Sequence, residues 1–117
     1  MTTIHQVYIA GSYSADTRTR ELQNVMAALV AACALTKRGY HCIVPHVSGS
    51  HRVDWDTAMD RCRAVIHSLD TNQDVMAMLP GWEASRGARE ERDIAMAIGM
   101  GVYDLADLSG KQVVVYA

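Results

Sequence analysis

Five short apolar runs rich in β-formers alternate along this chain with three longer stretches of helical periodicity, joined by short loops. Strands separated by helices pair in parallel, because a parallel pair needs a crossover and a helix supplies it. The runs lie at residues 4–10, 41–45, 75–79, 102–105 and 112–116. The helical stretches cover residues 17–37, 55–69 and 85–99. The first opens on Asp16 or Thr17 as cap, carries the apolar positions Leu22, Val25, Met26, Leu29, Val30 and Cys33, and ends at Gly39. The second begins near Trp55, and the third follows the cap Ser85 and stops at Gly99 and Gly101. A polar loop spans residues 46–54, and turns are expected at residues 70–74 and 107–110. The expectation is one α/β domain over residues 1–117, three-layered and flavodoxin- or Rossmann-like. Its parallel sheet has four to five strands in the order 2-1-3-4-5.

That order puts a functional site in a definite place. The chain reverses direction between strands one and three, and ligands of such sheets bind beyond the carboxyl ends of the strands at the reversal. The loop after strand one carries Gly11, Ser12, Tyr13 and Ser14, and the loop after strand three runs from Pro80 to Gly87. Both meet over one crevice. In the third helix the neighbours of Glu91 three, four and seven residues away are Gly87, Ala88, Ile94, Ala95 and Ile98, all small or apolar. Glu91 therefore lies on the inward face, where a carboxylate is costly without a partner or a task. Glu90 sees Arg86 and Asp93 instead, an ordinary solvated face that also suits the positive end of a helix.

The bulk properties narrow the partners. A net charge of −2 without a Lys/Arg cluster gives no electrostatic footprint for a nucleic acid polymer. Three cysteines without a CxxC pair suggest reduced thiols and a cytoplasmic setting. No signal peptide is evident, and no apolar stretch is long enough to span a membrane. His46 and His51 lack a third ligand at zinc spacing, so no metal is expected. Walker, GxGxxG and GxSxG motifs are absent, which argues against ATP hydrolysis, dinucleotide cofactors and serine hydrolysis. No cofactor is expected. Cys62 has no partnered His at evident spacing and reads as buried filler.

Two stretches carry a resemblance. VYIAGSYS, from Val7, resembles the opening strand and loop of the nucleoside 2-deoxyribosyltransferase superfamily, commonly YIAGPYS, with Ser12 in place of Pro. LPGWEASRGAREERDIAMAIG, from Leu79, resembles that superfamily's Gly-x-x-x-Glu followed by small residues at alternate positions. Gly87 and Glu91 fill the Gly and Glu; Ala95, Ala97 and Gly99 fill the small positions; Asp93 stands where Gly is frequent. The chain is most similar to the short, often phage-encoded members. The resemblance implies that Glu91 is a catalytic nucleophile and that the ligand is a nucleoside or nucleotide. In the nucleotide-hydrolysing branch a Ser six residues before that Glu binds the 5′-phosphate, and Ser85 stands there. Ser85 as a plain N-cap remains the other reading. The superfamily also has an Asp eight residues ahead of the Asp that begins strand three. Counting back from Asp74 gives Ile66 and from Asp70 gives Cys62; Asp60 is the nearest carboxylate upstream.

Cleaving an N-glycosidic bond passes through a cation-like sugar at C1′. A desolvated carboxylate can stabilise that charge or attack it, while another group helps the leaving base take a proton. Glu91 suits the first role, and Asp60 is the candidate for the second. Tyr13 is placed to orient the carboxylate or to cover the core edge, and Trp82 to wall the base pocket or to pack on the sheet end. Gly11, Ser12, Ser85 and Gly87 complete the expected substrate site. Two functions follow: cleavage or transfer at the N-glycosidic bond of a (deoxy)nucleoside or its 5′-monophosphate, and a non-catalytic nucleotide-binding protein of the same fold. A homo-oligomer is also expected, since members of the superfamily commonly complete the pocket with a neighbour's residues and the chain stops directly after its last strand.

Overall fold

A computed structural model describes residues 4–47 and 54–109. Four parallel strands form one sheet in the order β2-β1-β3-β4: β1 is Gln6–Ala10, β2 His41–Ile43, β3 Val75–Met78 and β4 Gly101–Asp104. Val7 sits beside Cys42 on one side and Val75 on the other, and Val75 in turn pairs with Gly101. The chain is thus a parallel α/β protein with the reversal between β1 and β3. The fifth strand expected at residues 112–116 lies outside the described residues. Where a turn is expected after β4, residues Leu105–Ser109 form a short helix, α4.

Three longer helices cover the sheet, and each starts on a side-chain cap. In α1, Arg18–Lys37, the Thr17 hydroxyl accepts from the Arg20 amide at 3.1 Å. In α2, Trp55–Ser68, the Asp54 carboxylate accepts from the Thr57 amide at 2.7 Å. In α3, Arg86–Ala97, the Ser85 hydroxyl accepts from the Ala88 amide at 3.2 Å. Each bond satisfies one of the amides that a helix start leaves unpaired. Gly39 and Gly99 end α1 and α3 with φ of 100° and 82°, the left-handed region that a side chain disfavours.

Alternation along β1 divides the core in two. Val7 and Ile9 face α1 together with Val75, Ala77, Ala28, Ala31 and Leu35. Tyr8 and Ala10 face α2 and α3 together with Met76, Met78, Ile66, Ala88 and Ala95. The buried face of α1 differs from the apolar row expected from periodicity. Ala28, Ala31, Ala32 and Leu35 are buried, whereas Leu22, Met26 and Val30 are about half exposed or more, at 49, 58 and 63%. The helix is apolar on two sides, and the alanine side lets its axis come closer to the sheet.

Asp74, the residue before β3, is buried and fully engaged. Its carboxylate accepts from the Gln6 amide at 3.1 Å and from the Asp70 amide at 2.8 Å, locking the entry of β3 beside β1. Among the described residues no helix is long and apolar enough to cross a membrane.

Candidate functional site

The carboxyl ends of β1 and β3 open into a cleft of about 390 Å³. Gly11 to Ser14 form one wall, Ala84 to Ala88 another, and Trp55, Met59 and Cys62 of α2 a third. Gly11 is required by close approach: a β-carbon there would lie 2.6 Å from Leu79 Cδ1 and 2.8 Å from Leu79 Cβ. Without that side chain, the Ala10 carbonyl can accept from the Leu79 amide at 2.8 Å, so β1 and β3 leave the sheet together. Gly87 plays a second steric part. A β-carbon there would stand 3.3 Å from Met59 Sδ and 3.8 Å from Trp55 Nε1, filling the space between α3 and α2.

Glu91 lies in this cleft, 5% exposed, on the inner face of α3. The Tyr8 hydroxyl, from the middle of β1, donates a hydrogen bond to Glu91 Oε2. Burial pushes the Glu91 carboxyl up to about 7 from its ordinary 4.5; donation from Tyr8 and Cys62 offsets part of that, and the nearby Glu90 charge adds to it. Burial and the Glu91 charge push the Tyr8 hydroxyl upward, so it stays a donor. Burial likewise raises the Cys62 thiol, which therefore stays protonated beside the carboxylate. The result is a carboxyl group held by two neutral donors and poised to change charge near neutrality. Tyr8→Phe removes the stronger donor and is expected to move the Glu91 midpoint above about 7. The pH dependence of unfolding measures that shift, and an unmoved midpoint would mean that the hydroxyl does not hold the carboxylate.

Of the residues expected at the site, Gly11, Ser12, Tyr13, Ser85, Gly87 and Glu91 line the cleft together. Asp60 does not. Its side chain is 75% exposed and accepts from Arg63 Nη1 at 2.6 Å, while Arg63 Nε donates to Glu90 at 2.9 Å. The reason is helix phase. Met59 and Ile66 are the buried positions of α2, and Cys62, three residues from one and four from the other, shares their face. Asp60, two residues earlier, points away. Trp82 is also absent from the lining; it packs on the core below and carries the Arg92 guanidinium over its ring at 4.9 Å. Ser85 caps α3 and also lines the cleft.

His46, Trp55, Arg61, Cys62 and Arg86 line the cleft and Tyr8 reaches Glu91 from the core beneath it; none of these is among the expected site residues. Strand alternation carries a signal for Tyr8, since it shares a sheet face with the residues that α3 covers. The spacing of Met59, Cys62 and Ile66 carries one for Cys62. The Arg86 guanidinium, at the start of α3, lies 3.9 Å from the Trp55 ring centroid, and Arg61 of α2 lines the same cleft. Free helix-start amides and guanidinium groups together favour an anion.

Fold and site together define a parallel α/β protein with a carboxyl-floored cleft at its strand reversal. Residues 5–104 match the model of the family described as Domain of unknown function (DUF4406), and the chain belongs to that family. No protein of curated function matches the sequence. Among solved structures, the chain is similar to the sugar isomerase domain of an RpiR transcription factor from Sphaerobacter thermophilus, with 16% identity and a TM-score of 0.54. The match covers 97% of this chain and 55% of that one, so the chain spans about half the length of this neighbour. At that identity the likeness is one of fold.

Proposed function

We propose that the cleft holds a (deoxy)nucleoside or its 5′-monophosphate and that Glu91 acts at C1′ to cleave or transfer the N-glycosidic bond. The observation that carries this reading is the Glu91 carboxyl, desolvated at the cleft floor and held by the Tyr8 hydroxyl. The ionised carboxylate bonds to C1′ as the C1′–N bond breaks; the electron pair leaves on the base nitrogen, which takes a proton from solvent. Water or a second base then bonds to C1′ and releases the carboxylate, returning its proton to solvent. The start of α3, with Ser85 and Arg86 in the cleft wall, suits a 5′-phosphate.

A second reading has its own support. Asp60 faces solvent, and Glu91 is the one acidic side chain among the described residues lining the cleft. A protein lacking a second carboxylate there would bind the nucleotide without turning it over. Free-base release from the common deoxynucleosides and their 5′-monophosphates, with and without an acceptor base, separates the two. Release is the expected result. Binding by calorimetry with no release over days would select the non-catalytic reading.

Self-assembly belongs to the same proposal. Leu22, Met26 and Val30 recur every four residues on the outer side of α1 and offer an apolar row to a second copy. Light scattering is expected to give at least a dimer; a monomer at working concentration would remove this part.

A further inference from the structure

Two arginines near the cleft are held in opposite ways. Arg63 gives its guanidinium to carboxylates: Nη1 donates to Asp60 at 2.6 Å and Nε to Glu90 at 2.9 Å. Arg86, which lines the cleft, has no carboxylate partner among the described residues. It lies instead over the Trp55 ring, 3.9 Å from the centroid. A guanidinium on a carboxylate has its charge offset and its donors taken up. One on an aromatic face keeps its charge, and the ring gives its N–H donors no oxygen to bond.

The ring itself is fixed by helix phase. Trp55 is the first residue of α2 and stands one turn before Met59, which is buried, so the indole is turned towards α3. There it meets Gly87, where a β-carbon would stand 3.8 Å from Trp55 Nε1. The bare glycine lets the half-buried indole lie against the first turn of α3, and Arg86, the residue before it, covers the ring. An exposed arginine side chain loses much of its freedom when it takes hold of a ligand. Here the indole restricts that freedom beforehand.

We propose that Trp55 is a positioning residue that acts through Arg86: its indole holds the guanidinium in the cleft for the phosphate of the ligand, and so sets how strongly the cleft prefers a nucleoside 5′-monophosphate to the nucleoside. This rests on the reading of the site as a nucleotide cleft. A ligand without phosphate has nothing for the guanidinium to bond, so the indole adds nothing to its affinity. The planar guanidinium suits a phosphate through two parallel N–H bonds, a geometry worth holding in advance.

Calorimetry on wild type, Trp55→Leu, Trp55→Phe, Arg86→Met and the double variant Trp55→Leu/Arg86→Met tests this. The probes are the common deoxynucleoside 5′-monophosphates, the matching deoxynucleosides and 2-deoxyribose 5-phosphate. Arg86→Met is expected to weaken the phosphate-bearing probes by about tenfold or more. Trp55→Leu is expected to weaken them by about three- to tenfold, with the deoxynucleosides within about twofold in both variants. Trp55→Phe keeps an aromatic face and is expected to recover most of the loss. In the double variant the Trp55 effect is expected to vanish, leaving the affinity of Arg86→Met alone, because a residue that acts only through the guanidinium has nothing left to hold. Losses that add in the double variant, equal losses for nucleotide and nucleoside, or no loss in Trp55→Leu would overturn the assignment. Should Trp55→Leu fail to fold, Arg86→Lys carries the test: it keeps the charge without the flat group that rests on the indole, and unchanged affinity for the phosphate-bearing probes would overturn the assignment. Wild type that releases base yet binds nucleotide and nucleoside equally would overturn this inference alone. Wild type that binds none of the probes would remove the nucleotide reading and this one with it.

Discussion

Glu91→Gln is expected to abolish base release while the protein still folds and still binds its nucleotide. Glutamine keeps the shape of glutamate, and its carbonyl oxygen can accept the Tyr8 hydrogen bond that Glu91 Oε2 accepts in the wild type. It loses the charge that meets the sugar cation and the oxygen that would bond to C1′. Loss of a covalent nucleophile costs on the order of 10³ to 10⁵ in rate, equivalent to about 4–7 kcal/mol of barrier. Affinity should be unchanged or higher, since a buried negative charge no longer opposes an anionic ligand. Single-turnover release with radiolabelled or fluorescent nucleotide reads the rate, and calorimetry reads the affinity. Release by the variant within tenfold of wild type would show that Glu91 is not the reacting group. For the wild type, release should rise with pH through about 7, as the carboxyl ionises.

The same substitution should stabilise the protein above neutral pH and leave it unchanged in acid. The Glu91 carboxyl titrates at about 7 in the folded chain against an ordinary 4.5. Between those values the folded state holds a proton that the unfolded state has lost, so stability falls as pH rises through this window. Below 4.5 both states are protonated and no cost remains; above about 7 the full cost is present. The gap between the two values corresponds to roughly 3 kcal/mol. Glu91→Gln removes the ionisation, so its stability advantage over wild type should grow from near zero at pH 4.5 to roughly 3 kcal/mol by pH 8. His46 acts with the opposite sign. Burial lowers its affinity for a proton, so it costs stability as pH falls below its ordinary 6.5, equally in both proteins. The difference between the two denaturation curves therefore isolates Glu91. An advantage independent of pH would mean that the carboxyl is not desolvated as described.

These two results bear on one point: the cleft holds a residue that works against the fold. Keeping a carboxylate in a buried place lowers stability at neutral pH, and such sites are where function is found. Asp74, by contrast, is as buried as Glu91 but accepts backbone hydrogen bonds from Gln6 and Asp70, and is explained by structure alone.

What the sequence determined by itself is local. Ser85 caps the third helix, Thr17 is one of the two caps legible for the first, Gly39 and Gly99 end those two helices, and the alternation of short runs and helical periods makes the sheet parallel. The inward face of Glu91 was legible for the same reason, because helix phase is set within two turns. Tertiary structure alone decided which of two apolar sides of α1 meets the sheet, since close approach favours Ala28, Ala31 and Ala32 over the larger Leu22, Met26 and Val30. It also decided that Cys62 rather than Asp60 faces the cleft, because the burial of Met59 and Ile66 rotates α2 that way. Tyr8 and Glu91 lie 83 residues apart and meet only because one sheet face and one helix pack together. Periodicity reports which side of an element is apolar; which partner that side meets is a property of the packed whole.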